Sequence, residues 1–139
     1  MAERVHLAEL AGRQAARLAA GDGPLARDLV TAPSLRNAMV ALQALGGSTN
    51  GVVHLAAIAR RAGLRLDLDE LDAIGREVPV LVDLKPSGSR YMEHFHHAGG
   101  MPRLLKEVAR HLDLAAPTID GRTLAAVVAG AEEVPGQPV

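Results

Sequence analysis

The chain has 139 residues, 48% of them hydrophobic, a net charge of −1, no cysteine and only two aromatic residues, Tyr91 and Phe95. That length is one domain or a piece of one, long enough to bury a core of Leu, Val, Ile and Ala. The near-neutral charge and scarce aromatics argue against a nucleic-acid partner, and the missing thiols exclude disulfides, thiolate nucleophiles and cysteine-held zinc or iron–sulfur clusters within this chain.

No apolar run is long enough to span a bilayer. The opening MAERVHLAEL carries charges where a signal peptide needs an apolar run. The expectation is a cytoplasmic chain with neither membrane nor nucleic-acid partner.

From Glu3 to about Ala20 the apolar residues Val5, Leu7, Leu10, Ala11 and Leu18 predict a helix, stopped by Gly21-Asp22-Gly23-Pro24. Leu25 to Val30 reads as a turn or short helix. Thr31 is a helix cap, with Pro33 tolerated in the first turn. The helix it starts runs to Leu45 and places Met39, Val40, Leu42 and Leu45 on one stripe. Gly46-Gly47 stops it, because glycine takes positive φ without steric cost. Ser48, Thr49 or Asn50 caps the next helix, which carries Val52, Val53, Leu55, Ala56 and Ile58 to about Ala62, with Gly63 just past its end.

Asp67 and Glu70 have the spacing of a capping box for a short helix to Gly75. VPVLVDL, residues 78–84, is the one strand the pattern supports: nearly continuous, β-branched and apolar, with Pro79 near its start. Lys85-Pro86-Ser87-Gly88 follows as a loop. Tyr91 to Ala98 is predicted helical and ends at Gly99-Gly100. Pro102 starts a helix to His111 or Leu112. Thr118-Ile119 suggests a short extended segment before an Asp120-Gly121 turn, and Thr123 caps a last helix to Ala129. Residues 132–139 form a loose tail after a domain spanning 1–131. A buried strand needs neighbours to satisfy its backbone. The expected class is therefore α/β, predominantly helical, with one buried strand from Val78 to Leu84 and at most one further short strand. Its strand pairs with another copy of the chain, or the chain is part of a larger α/β/α domain.

Two stretches suggest ligand chemistry. Gly46-Gly47-Ser48-Thr49-Asn50 leaves free N–H groups at a helix start, which favours an anion, although the same residues serve as plain punctuation. Lys85 and Ser87 lie beyond the carboxyl end of the predicted strand, where open α/β sheets bind ligands, and Gly88 permits close approach; an ordinary loop with a solvated lysine has the same spacing. His94 and His97 have an i, i+3 spacing that supports at most weak, adventitious divalent metal. Asp67, Asp69, Glu70 and Asp72 suit capping and a solvated face, since the register of a calcium loop is missing.

The blocks GGSTNGVVHLAAIARRAG, PVLVDLKPSG and HHAGGMPRLLKEV, in this order and spacing, resemble the dihydroxy-acid dehydratase / 6-phosphogluconate dehydratase family. AGRQAARLAAGDGPLARDLVT and TIDGRTLAAVV resemble flanking segments, so the likeness runs from about Val5 to Val128. The resemblance implies a hydro-lyase that removes water from a 2,3-dihydroxy carboxylate or sugar acid to give a 2-keto acid. It also implies an iron–sulfur cluster acting as Lewis acid on the departing hydroxyl, and a magnesium ion that helps hold the substrate. This chain, lacking cysteine, cannot hold the cluster, so it resembles a central slice of the catalytic domain. Its expected partners are the remainder of the dehydratase or another copy of itself. Ser48, Thr49, Asn50, Lys85, Ser87 and His96 are the candidate substrate-binding residues, with no catalytic base and no metal ligand assigned. Of Met92-Glu93-His94-Phe95-His96-His97, only His96 keeps the family's histidine. Gly51 stands where alanine is common, at a cost of up to about 1 kcal/mol in a helix. The alternative is a catalytically dead binding or assembly module that keeps the fold.

Overall fold

The computed structural model describes residues 2–139, so Met1 of the opening segment lies outside the described residues. The first helix, α1 (Ala2–Ala19), forms where its periodicity predicts, yet much of its apolar side faces solvent: Val5 is 67% exposed and Leu7 54%. It is tied down near its end, where Gln14 Nε2 donates to the carbonyl of Ile119 at 3.3 Å.

The body of the protein is built around α3 (Ala32–Ala44), which follows a single-turn α2 (Ala26–Leu29). Thr31 and Ser34 cap α3 reciprocally: the Ser34 N–H donates to Thr31 Oγ1 at 3.3 Å and the Thr31 N–H to Ser34 Oγ at 2.9 Å. Leu35, Met39, Val40 and Ala44 recur at helical spacing and are buried. They meet α5 (Leu68–Glu77) through Leu71 and Ile74, and α7 (Gly100–Glu107) through Leu104. Val78, Leu84, Phe95 of α6 (Met92–His97) and Val108 complete this cluster. Each such side chain, fully buried, stabilises by about 1.5–3 kcal/mol before the entropy cost of ordering it. α4 (Thr49–Arg61) lies beside α3 but buries only Ala59 fully, leaving Val53 66% and Ile58 49% exposed.

Among the described residues Asn37 is the buried polar one, and both ends of its amide are bonded. Nδ2 donates to the Asp113 carbonyl and Oδ1 accepts from the Asp113 N–H, both at 2.8 Å. This pair fixes the segment after α7 and its 3₁₀ turn (Ala109–His111) against α3. Asp67 caps α5 as predicted, accepting from the Asp69 N–H at 2.8 Å. The expected reciprocal bond from Glu70 is absent; Glu70 pairs instead with Arg36 of α3 at 3.5 Å, because the helix packing brings a cation within reach.

The predicted strand is corrected. Among the described residues no strand forms: residues 78–84 are irregular, Val78 and Leu84 are buried, and Val80 is 60% exposed. The physical reason is the lack of a neighbour. The Leu81 N–H donates to the carbonyl of Ala44 at 2.9 Å, which ties the segment to the end of α3 rather than to a ladder. Isolated bridges join Leu84 to Arg90 and Pro117 to Thr123, the second closing the Asp120-Gly121 turn ahead of α8 (Leu124–Ala129). Thr123 caps α8 as expected, accepting from the Ala126 N–H at 3.4 Å.

Residues 132–139, read from the sequence as a loose tail, lie back across α7. Arg103 pairs with Glu133 at 3.3 Å, Lys106 Nζ donates to the Ala131 carbonyl at 3.0 Å, and Val139 packs against the core.

Candidate functional site

α3 ends and α4 begins within the space of the glycine-rich turn. The N–H groups of Gly46 and Gly47 donate to the carbonyls of Gln43 and Leu42, both at 2.9 Å, and close α3. Gly46 has φ +59°, and a Cβ there would stand 3.1 Å from Val80 and 3.2 Å from Ser87 Oγ. Ser48 then caps α4, accepting from the Asn50 N–H at 3.1 Å. Ser48, Thr49 and Asn50 are all exposed. Gly51, which helix propensity alone marks as a weak point, leaves room for Leu42: a Cβ there would stand 2.6 Å from Leu42 Cδ1.

The loop from Asp83 to Tyr91 faces that turn. Ser87 Oγ lies 3.5 Å from the carbonyl oxygen of Gly46 and 3.4 Å from that of Leu84. The structure thus brings Ser87 to the turn that carries Ser48. Lys85 is directed along its own loop: Nζ donates to Tyr91 Oη at 2.6 Å and sits 4.1 Å from the centre of the Tyr91 ring. His96 is exposed on α6, its ring 5.4 Å from that of His97 and tilted by 58°. His94 Nδ1 accepts from the Tyr91 N–H at 3.2 Å, so the imidazole serves the start of α6. Among the described residues no group of three or more His, Cys, Asp or Glu side chains is placed to hold a metal ion.

The loop is held by its own hydrogen bonds. The Ser89 N–H donates to Asp83 Oδ1 at 2.8 Å and the Ser89 hydroxyl to Asp83 Oδ2 at 2.5 Å. These donors stabilise the carboxylate and hold the Asp83 pKa below its usual value against the opposing effect of burial, with a lesser contribution from the nearby Arg90 guanidinium. The Lys85 N–H donates to the Arg90 carbonyl and the Arg90 N–H to the Asp83 carbonyl, both at 3.0 Å. Arg90 Nε is buried without a hydrogen-bond partner, 3.9 Å from Asp83 Oδ2.

Sequence reasoning missed Asp83, Ser89 and Tyr91. For Asp83 and Ser89 no local signal exists. For Tyr91 the signal is a lysine and a tyrosine flanking a loop short enough for the two to meet. The turn before α8 holds a similar device: Arg122, and then Thr118, donate to Asp120 and push its pKa far down, while Asp120 raises that of Arg122.

Chemically, the two loops offer an exposed helix start, a hydroxyl, an ammonium and a phenol on adjoining segments. Such donors suit an oxyanion and supply no evident general base.

The family model described as dihydroxy-acid/6-phosphogluconate dehydratase, N-terminal, matches residues 1–127. "Dihydroxy-acid dehydratase 2" of Bordetella bronchiseptica is 41% identical over 139 residues, which cover 99% of this chain and 24% of that protein. The chloroplastic dihydroxy-acid dehydratase of Arabidopsis thaliana is 50% identical over 101 residues, 71% of this chain and 17% of its own length. That of Moorella thermoacetica is 43% identical over 130 residues, 91% of this chain and 23% of its own. The chain therefore spans about a quarter or less of these curated relatives. It belongs to the dihydroxy-acid/6-phosphogluconate dehydratase family and matches the family's N-terminal region, a coarser placement than the central slice expected from its motifs.

Proposed function

We propose that this chain is part of a hydro-lyase that dehydrates a 2,3-dihydroxy carboxylate or sugar acid to a 2-keto acid, and that it does not catalyse alone. The family membership supports the reaction class, and the dihydroxy-acid dehydratases it matches support the substrate class. Its incompleteness is supported by the span, about a quarter of the Bordetella relative, and by the absence of cysteine. An iron–sulfur cluster needs thiolate donors, so the residues present do not fit one; its ligands, like the cluster, belong to other parts of such an enzyme. In this reading the chain sits in a larger α/β/α domain in the cytoplasm. The remainder of the dehydratase, or another copy, covers residues 78–84.

Within that enzyme the chain's role is to hold the substrate's carboxylate. The observation that carries this is the approach of Ser87 Oγ to the Gly46 carbonyl, 3.5 Å, which sets the Lys85–Ser87 loop beside the start of α4. Ser48, Thr49 and Asn50 would offer N–H and side-chain donors there, Lys85 a positive charge, and Ser87 and His96 hydrogen bonds. A carboxylate fixed in this way leaves the hydroxyl-bearing carbons to be presented to groups outside the chain.

The test has two arms. The purified chain, incubated with a 2,3-dihydroxy carboxylate, is expected to release no 2-keto acid; sustained turnover in the absence of any other chain overturns the assignment of a partial enzyme. Direct titration with the same acid is expected to shift the backbone amide resonances of Ser48–Asn50 and Ser87 together. Shifts at one loop without the other would dissolve the shared site.

A further inference from the structure

We infer that Tyr91 is a second donor to the substrate carboxylate, acting beside Lys85. This deepens the reading that the Lys85–Ser87 loop faces that carboxylate, and rests on it.

The argument begins with what each group is able to do. An ammonium only donates hydrogen bonds, so across the 2.6 Å between Lys85 Nζ and Tyr91 Oη the phenol oxygen must accept. The phenol hydrogen is then turned away from the lysine, and among the described residues nothing takes it. Lys85 is likewise uncompensated. Its neighbours are a neutral hydroxyl and a ring 4.1 Å away, and it forms no ion pair among the described residues. An ammonium and an outward O–H, 2.6 Å apart at their heavy atoms, form a two-donor edge. A carboxylate presents two oxygens in one plane and fits such an edge with one hydrogen bond to each.

Both groups are also held in place. The Tyr91 N–H is bound to His94 Nδ1 at 3.2 Å, and its ring stacks on the His94 ring at 6.2 Å and 28°. The Lys85 N–H is bound to the Arg90 carbonyl, next to Tyr91, at 3.0 Å. The Tyr91 side chain remains open to solvent, with the residue 58% exposed, so a ligand reaches it without rearrangement. The opposing view is that the ring merely braces the lysine. It predicts that the hydroxyl itself is dispensable.

Glycerate, the smallest 2,3-dihydroxy carboxylate, is the probe, and glyceramide its uncharged counterpart. Each is titrated into the full 139-residue chain while the Tyr91 ring and Lys85 side-chain resonances are followed. Tyr91→Phe keeps the ring and removes the hydroxyl. It is expected to weaken glycerate binding about tenfold, the loss of one charge-assisted hydrogen bond, with a smaller loss for glyceramide, whose neutral carbonyl is the weaker acceptor, and the melting temperature unchanged. Lys85→Met is expected to abolish the preference for glycerate over glyceramide, and Tyr91→Phe to add little in that background. If Tyr91→Phe binds glycerate like the unsubstituted chain while Lys85→Met does not, the tyrosine is only a brace and this inference fails alone. If Lys85→Met also binds normally, or the unsubstituted chain shows no saturable shift, the carboxylate reading of the loop fails with it.

Discussion

Gly88 lies so close to the backbone of Asp83 that a Cβ on it would stand 2.5 Å from the Asp83 carbonyl carbon. The Leu84 nitrogen would be 2.6 Å away, so the obstacle is main chain and has no rotamer by which to escape. The loop that presents Lys85 and Ser87 therefore closes only around glycine. Gly88→Ala is expected to destabilise the chain by about 1–3 kcal/mol, the usual cost of overpacking, in urea denaturation. The Ser89 and Arg90 amide resonances should move while those of α3 stay. A variant as stable as the parent would show that the loop reopens freely.

The Asp83–Ser89 contact makes part of this loop acid-sensitive. The Asp83 pKa is lower in the folded chain than in the unfolded one, chiefly through the Ser89 donors. A lowered carboxylate pKa contributes stability that is present above the unfolded value, about 3.9, and is lost as pH falls through the folded value. Observed by carboxyl NMR, Asp83 should titrate below the ordinary aspartate range. Ser89→Ala should move its midpoint upward, and an unmoved midpoint would remove Ser89 as the cause.

Asn37→Ala removes both bonds to Asp113 and leaves its part-buried N–H and C=O without a side-chain partner. The expected loss is about 1–3 kcal/mol, from two part-buried hydrogen bonds at roughly 0.5–1.5 kcal/mol each. Asn37→Asp keeps the acceptor but sets a carboxylate oxygen against the Asp113 carbonyl and should lose at least as much near neutral pH. Asn37→Leu, which fills the space but makes neither bond, should lose nearly as much as Asn37→Ala; a loss near zero would mean that the cavity, rather than the hydrogen bonds, sets the cost.

Residues 78–84 leave the apolar side chains of Val80 and Leu81 at the surface and join no ladder among the described residues, a surface that recruits another chain. Light scattering is expected to give a mass above the 14.5 kDa of one chain at high concentration. Val80→Lys should return it to the single-chain value. A monomer at all concentrations would rule this segment out as a sticky edge.

Much of the helical framework is legible in the sequence because its signals are local. Thr31, Ser48, Asp67 and Thr123 each cap the helix that follows, and each cap depends on residues two or three positions away. Where the outcome depends on distant neighbours the sequence misleads. VPVLVDL has the composition of a buried strand, but composition cannot supply the second strand that would pair with it. Glu70 has the register of a capping box, yet Arg36 competes for it. Gly51 looks like a defect until Leu42 is seen lying across it. Of the candidate site, general rules about helix starts and strand ends mark the Ser48–Asn50 turn and the Lys85–Ser87 loop one by one, while the approach of Ser87 to the glycine turn depends on how the chain folds back. Tyr91 went unnoticed because its meaning appears only with the lysine six positions earlier.

The exposure of α1 bears on how any unfolding curve of this protein should be read. The helix makes up 18 residues but shelters almost no surface, and one side-chain bond from Gln14 links it to the Ile119 turn. It can therefore fray and re-form without disturbing α3, and its amides should exchange with solvent long before those of Met39 or Val40. The steepness of a denaturant curve follows the area uncovered on unfolding. The slope should accordingly be shallower than that of a fully packed protein of this length, even if the transition of the body is wholly cooperative. A shallow slope here would record an idle segment within a two-state protein, and calorimetric enthalpy per residue would be diluted in the same proportion.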